Sequence, residues 1–154
     1  MLFRSELRTL RLIGTPASPS DFADIRRLHG DSRVMATLSA DGNTFSEEQS
    51  LTFLERAADH WKAHGFGLWI CREDAGGDFV GYGGIRHTTV EARDQVELAY
   101  AIRSERWGNG FATEISIAAL KQGFDELHLD QIVAFTLTHN RASRGVMEIG
   151  RAHV

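Results

Sequence analysis

The sequence predicts an α/β chain of the α+β kind: a mixed, mostly antiparallel sheet flanked by helices, in the order β-α-α-β-β-β-α-β-α. Three observations carry this. Two stretches with helical apolar spacing stand near the start, at Phe22-Ile25-Leu28 and at Leu51-Leu54-Ala58-Trp61. Three β-patterned segments then follow, joined only by short turn-like connections at Gly76-Gly77 and Glu91 to Asp94. A helical stretch from about Gly110 to Leu127 separates the last of these from another apolar, β-branched segment, which is the pattern of a β-α-β crossover.

Taken in order, Glu6 to Ile13 alternates Leu7, Thr9 and Arg11 against Arg8, Leu10 and Leu12 and reads as the first strand. Ser18-Pro19 starts the first helix, with serine as cap and proline at the first helical position. Ser32 to Thr44 reads as loop, with Asp41-Gly42-Asn43 as a turn. Ser46 opens the second helix, and Gln49 three residues on completes a capping box; His64-Gly65 ends it. The meander strands are Phe66 to Arg72, Phe79 to Thr88 and Gln95 to Arg103. Gln131 to Thr138 is the fifth strand, and Asn140 reads as the cap of a fourth helix.

Composition narrows the function classes. The 154 residues suffice for one domain with a core; 42% are apolar and 25% charged, so disorder and coiled coil are excluded. Seventeen basic against twenty-one acidic residues, a net charge of −4, argue against a general nucleic-acid or membrane-surface binder. Neither a secretory signal nor a membrane-length apolar run is present. The single cysteine, Cys71, excludes an internal disulfide and fits a cytoplasmic protein.

The chemistry is concentrated in the stretch from Val96 to Glu114, where a strand runs into the loop Arg106-Trp107-Gly108-Asn109-Gly110 and directly into a helix. Glycines let backbone amides approach a ligand, and a helix start offers unpaired N–H groups at the positive end of the dipole. Together they suit a pyrophosphate, although an ordinary strand-to-helix turn has the same pattern. A dinucleotide fingerprint requires glycine where Thr113 stands, and Asp130, near the spacing of a ribose-binding acid, follows the wrong strand order. The Gly-Lys-Ser/Thr of a nucleotide-hydrolase loop is missing.

Arg106-Trp107-Gly108-Asn109-Gly110-Phe111-Ala112-Thr113-Glu114 resembles the Trp-Gly-x-Gly-Tyr-Ala-Thr-Glu loop of the GNAT superfamily of CoA-dependent N-acyltransferases, in its ribosomal-protein-alanine N-acetyltransferase (RimJ/RimL) branch. Asn140-Arg141-Ala142-Ser143 resembles the branch's Asn-x-x-Ser motif. Gly65 to Trp69, Gly81 to Ile85 and Leu10-Arg11-Leu12 are similar to its strands. The resemblance implies the GNAT fold and acetyl-CoA as co-substrate. It implies acetyl transfer to a primary amine, on a protein N-terminus or a small molecule. A homodimer is left open.

The resemblance further implies that amides around Trp107 to Ala112 hold the pyrophosphate, engaging Trp107, Gly108, Asn109, Gly110, Phe111 and Ala112. Backbone at Ile102 and Arg103 would pair with the pantetheine and polarise the thioester carbonyl. Glu105 stands where the superfamily often has Gln or Arg, so Arg106, or nothing, takes over that contact. Asn140 is a pantetheine anchor or simply a helix cap. The attacking amine must be neutral, and Glu97 is the candidate base or, alternatively, an orienting carboxylate. The fourth-helix tyrosine of many members is absent, which leaves Ser143 as proton donor to the thiolate or as an ordinary first-turn serine.

Other residues weigh less. His60 and His64 have metal-compatible spacing without a third ligand and read as a solvated helix face, so no metal is expected. Cys71 reads as a core thiol, and His87 as an edge-facing polar residue. The competing reading is a non-catalytic CoA-binding module of the same fold. Finally, Ile149 to Val154 resembles a translated library adapter. The expectation is a chain truncated near Glu148, with the branch's last strands missing and the fifth strand left as an open edge.

Overall fold

The computed structural model describes residues 5–135 and the backbone of Ala152 and His153. Strands β1 (Leu7–Arg8), β2 (Leu12–Pro16), β3 (Leu68–Glu73), β4 (Phe79–Val90), β5 (Arg93–Ile102), β6 (Ile132–Ala134) and β7 (Ala152–His153) form one sheet in sequential order. Pairing is antiparallel from β1 through β5 and parallel from β5 to β6 and β6 to β7. Helices α1 (Phe22–His29), α2 (Ser32–Leu38) and α3 (Glu47–His64) lie between β2 and β3, and α4 (Phe111–Lys121) makes the β5–β6 crossover. This is the mixed, mostly antiparallel GNAT-like architecture expected from the sequence.

Local signals account for most boundaries. Ser18 donates its N–H to Asp21 at 3.0 Å, and a short 3₁₀ turn, Pro19–Asp21, leads into α1. Ser46 and Gln49 form the reciprocal box at the start of α3, and Gly65 closes that helix in the left-handed conformation at φ 75°. Four expectations need correction. The first strand is two strands, because the Thr9 N–H and side chain both bond Leu12 and fold the segment into a hairpin. The stretch read as loop contains α2, capped by the Asp31 carboxylate, which accepts the Arg33 N–H at 2.9 Å. In α3, Leu51 is 41% exposed, and the buried stripe runs through Ser50, Leu54 and Ala57. The expected fifth strand, Gln131 to Thr138, is not an open edge at Ile132 and Val133, since Ala152 and His153 pair alongside them. Asn140, Ser143 and the part of the expected fifth strand beyond Phe135 lie outside the described residues.

Strand alternation divides the core between two faces. Leu68, Ile70, Tyr82 and Ala101 pack with Ile25, Leu28, Val34 and Leu54 of the three early helices. Trp69, Cys71, Ile85, Leu98 and Ile102 pack with Phe111, Ile115 and Ala119 of α4. Burial pushes the Cys71 thiol up to about 12, as suits a core thiol. The glycine cluster of β4 makes the close approaches possible. A side-chain carbon on Gly81 would stand 2.2 Å from the Ala101 carbonyl oxygen, and one on Gly83 would stand 2.5 Å from Ile115 of α4. Gly81→Ala is therefore expected to destabilise the fold by about 1–3 kcal/mol as the β4–β5 ladder gives way. A lowered midpoint in urea unfolding checks this, with surface changes such as Asp125→Asn as the reference.

Candidate active site

Where β5 ends, the Arg103 N–H bonds the Val80 carbonyl of β4, so by alternation the backbone groups of Ile102 point to the opposite edge. There the Trp107 indole N–H donates to the Ile102 carbonyl at 2.9 Å. The chain then passes Gly108 and Gly110, both in the left-handed region at φ 79°, and enters α4. The first bond of that helix is Glu114 N–H to Gly110 O, so the N–H groups of Phe111, Ala112 and Thr113 come before any intrahelical acceptor. A groove of about 320 Å³ lies here, lined by Tyr100, Ala101, Ile102, Trp107, Gly108 and Gly110, by the start of α4 and by Val34, Thr37 and Leu38 of α2.

The side chains around the loop have separate tasks. The Arg106 guanidinium bonds Glu73 and Asp78, although the residue also lines the groove. Arg103 donates to the Phe79 carbonyl at 2.9 Å and faces Glu105 at 3.4 Å. Asn109 turns its amide back onto the carbonyls of Arg106 and Trp107, at 3.0 and 3.2 Å, and so braces the loop from within. Ser104 donates to the Asp31 carboxylate at 2.6 Å, tying the strand end to the cap of α2. That bond, above all, holds the Asp31 carboxyl below its ordinary pKa.

Glu97 lies along the same strand in a second cavity of about 430 Å³. It pairs in register with Arg86 across the β4–β5 ladder, and the guanidinium donates to Oε1 at 3.0 and 3.2 Å. This is a cross-strand ion pair, with the carboxylate side chain 16% exposed. Tyr82 and His29 line the same cavity. Burial pushes the Tyr82 hydroxyl up to about 12. It also pushes the His29 imidazole down to about 4, with help from the charge of Arg26. The two cavities share Thr37, Leu38 and Tyr100, so the groove at the loop and the chamber holding Glu97 lie side by side across a common wall. Sequence reasoning brought Glu97 and the loop to one strand but missed α2, whose Thr37 and Leu38 form the common wall. Its signal was the Asp31 cap ahead of Val34, Met35 and Leu38.

Of the three histidines singled out, His60 differs from expectation, whereas His64 and His87 are exposed. His60 is not on a solvated face: Nδ1 donates to the Phe66 carbonyl at 2.9 Å, and Nε2 accepts the His87 N–H at 2.9 Å. That pair of bonds fixes a neutral ring, in keeping with a pKa that burial holds below the ordinary value. The His64 and His87 rings lie 4.2 Å apart between centroids, tilted by 44°. Among the described residues no group of three His, Cys, Asp or Glu is arranged to hold a metal, and no helix is long and apolar enough to cross a membrane.

Comparison with known proteins agrees with this geometry. The pattern of the acetyltransferase (GNAT) domain family matches residues 11–149. The uncharacterized protein YkkB of Bacillus subtilis is 34% identical over 87 residues, covering 56% of this chain and 51% of that protein. The FsC-acetyl coenzyme A-N(2)-transacetylase of Aspergillus fumigatus is 31% identical over 158 residues, covering 96% of this chain and 65% of that protein. The chain thus spans about half to two thirds of the length of the curated relatives it matches. Among solved structures, an acetyltransferase from Agrobacterium tumefaciens superimposes with a TM-score of 0.80 at 23% identity, covering 97% of this chain and 84% of that one.

Proposed function

The chain belongs to the acetyltransferase (GNAT) domain family, and from that premise we propose that it transfers an acetyl group from acetyl-CoA to a primary amine by direct attack on the thioester. One observation carries this reading: the groove at two left-handed glycines and a helix start shares a wall with the chamber that holds Glu97. A pyrophosphate suits the leading amides of Phe111, Ala112 and Thr113, and the groove past Ile102 suits the pantetheine arm. Trp107, Gly108, Asn109, Gly110 and Ala112 shape the phosphate end. The Ile102 carbonyl is bonded to the Trp107 indole, so Ile102 offers its N–H to the pantetheine while Arg103 holds the strand end to β4. Arg106 contributes through its backbone, its guanidinium being bonded elsewhere.

Glu97 takes the proton of the acceptor amine, directly or through a water, while Arg86 fixes the carboxylate by Oε1. Ser143 keeps the assignment of proton donor to the leaving thiolate and Asn140 that of pantetheine anchor, both on resemblance alone. The loop register from Trp107 to Glu114 supports the ribosomal-protein-alanine branch, and with it a protein N-terminus or a small amine as acceptor. A cytoplasmic location accords with the single thiol.

Glu97→Gln is expected to lower kcat by about 100-fold with the best acceptor of an amine panel. Calorimetric affinity for acetyl-CoA should change by about twofold or less, because the lost group acts on the acceptor. Unchanged turnover would remove Glu97 from the mechanism. Binding of acetyl-CoA without thiol release from any amine would overturn the transfer reading itself.

A further inference from the structure

The start of α4 carries an apparent contradiction. A site for an anionic pyrophosphate has a carboxylate, Glu114, in the first helical turn beside it. Left bare, that charge would repel the ligand and cancel part of the helix dipole. It is not bare. Its Oε2 accepts the Thr9 hydroxyl and the Arg11 N–H, the latter at 3.0 Å, and its Oε1 accepts the Arg11 Nε at 2.7 Å. Burial raises the Glu114 pKa, but these bonds outweigh it and hold the carboxyl below its ordinary value.

Arg11 does more than neutralise. Its Nη1 donates to the Asn109 carbonyl at 2.9 Å, and its guanidinium carbon lies 4.2 Å from the centre of the Phe111 ring. Nη2 stands 3.7 Å from where a side-chain carbon on Gly110 would sit. One side chain, from the β1–β2 hairpin, thus touches the loop at residue 109, the helix at residue 111 and the first-turn acid at residue 114. The Glu114 pairing links positions 103 apart in the chain and is 40% exposed on the arginine side and 16% on the glutamate side.

We propose that Arg11 is a positioning residue for the acyl donor: it masks the Glu114 charge and splints Asn109 to α4, so that the leading amides face the pyrophosphate. Thr9 is the second donor of the same clasp. The inference rests on the acetyl-CoA reading of the groove. It assigns a part of the binding machinery to the hairpin, which touches neither cavity.

Titration calorimetry with CoA on the full chain tests it, using Arg11→Ala, Arg11→Lys, Glu114→Gln and the double variant Arg11→Ala/Glu114→Gln. Circular dichroism first establishes that each is folded. Arg11→Ala should weaken CoA about tenfold, and the loss should shrink as salt is raised, because it comes from an unmasked charge. Arg11→Lys should fall between, restoring charge without the fork. The double variant should bind CoA more tightly than Arg11→Ala, since removing the acid removes the repulsion; a purely structural ion pair gives no such rescue. Wild-type affinity in folded Arg11→Ala, or a double variant no tighter than Arg11→Ala, overturns the inference and leaves the acetyl-CoA reading standing. Failure of the wild-type chain to bind CoA overturns that reading and this inference with it.

Discussion

Gly110→Asp should reduce affinity for acetyl-CoA about 100-fold. Gly110 is the residue from which α4 starts, in a left-handed conformation that glycine adopts freely and aspartate tolerates with strain. The new carboxylate would stand beside Arg11 Nη2 and within reach of the first amides of the helix. Aspartate is a favoured helix cap, so it competes for the donors a pyrophosphate needs and brings a like charge to the same place. Loss of two charge-assisted hydrogen bonds at about 1.5 kcal/mol each gives the stated factor. Calorimetry against acetyl-CoA measures it, and unchanged affinity would move the donor site away from this loop. The urea midpoint should also fall modestly, because aspartate is strained at φ 79° where glycine is not.

Acid should cost the fold far more than its exposed charges suggest. His29 is 1% exposed, bonded through Nδ1 to Ser50 at 3.0 Å and enclosed edge-on by Phe45 and Phe53. Its pKa is near the ordinary 6.5 when unfolded and about 4 when folded. Between these values the unfolded chain binds more protons, so this stability is intact above pH 6.5 and is lost as pH falls toward 4. The full loss is roughly 3 kcal/mol. His60 and His87 shift in the same direction and add to it. Urea melts at pH 7 and pH 4.5 should show the drop, and His29→Gln should reduce it without abolishing it. A pH dependence identical in the two proteins would mean that His29 charges in the native state.

The readable parts of this molecule were those written in neighbouring residues. Gly108 and Gly110 flanking Asn109, the Ser46–Gln49 box and the Gly65 stop each act over a few positions, and each is found where the pattern put it. Glu97 was legible as a strand residue next to the loop. Its pairing with Arg86 follows from the hairpin register but could not be read without knowing where the turn begins. Two kinds of feature escaped. Helix α2 is short, and its Val34 and Thr37 give weak helical signals, so tertiary packing against β5 settles it. The contacts of Arg11 and His60 join distant segments, and nothing local distinguishes Arg11 from Arg8, the other arginine of the hairpin. The adapter-like tail led to an expectation of a bare strand edge over Gln131 to Thr138, whereas backbone pairing brings Ala152 and His153 alongside Ile132 and Val133.

Strand β5 carries both ends of the candidate site, the carboxylate at Glu97 and the Ile102–Trp107 bond next to the phosphate loop. Five residues of extended chain separate positions 97 and 102, roughly 17 Å at about 3.4 Å per residue. The ladder to β4 is continuous over that span, so the interval cannot stretch. The strand is therefore a gauge. On the proposed reading, a donor anchored by its phosphates would present its reactive carbon at one distance along the strand, and thioesters on shorter arms would stop short of the carboxylate. Selection for the length of the carrier would then reside in the backbone, independent of any side chain that touches the acyl group.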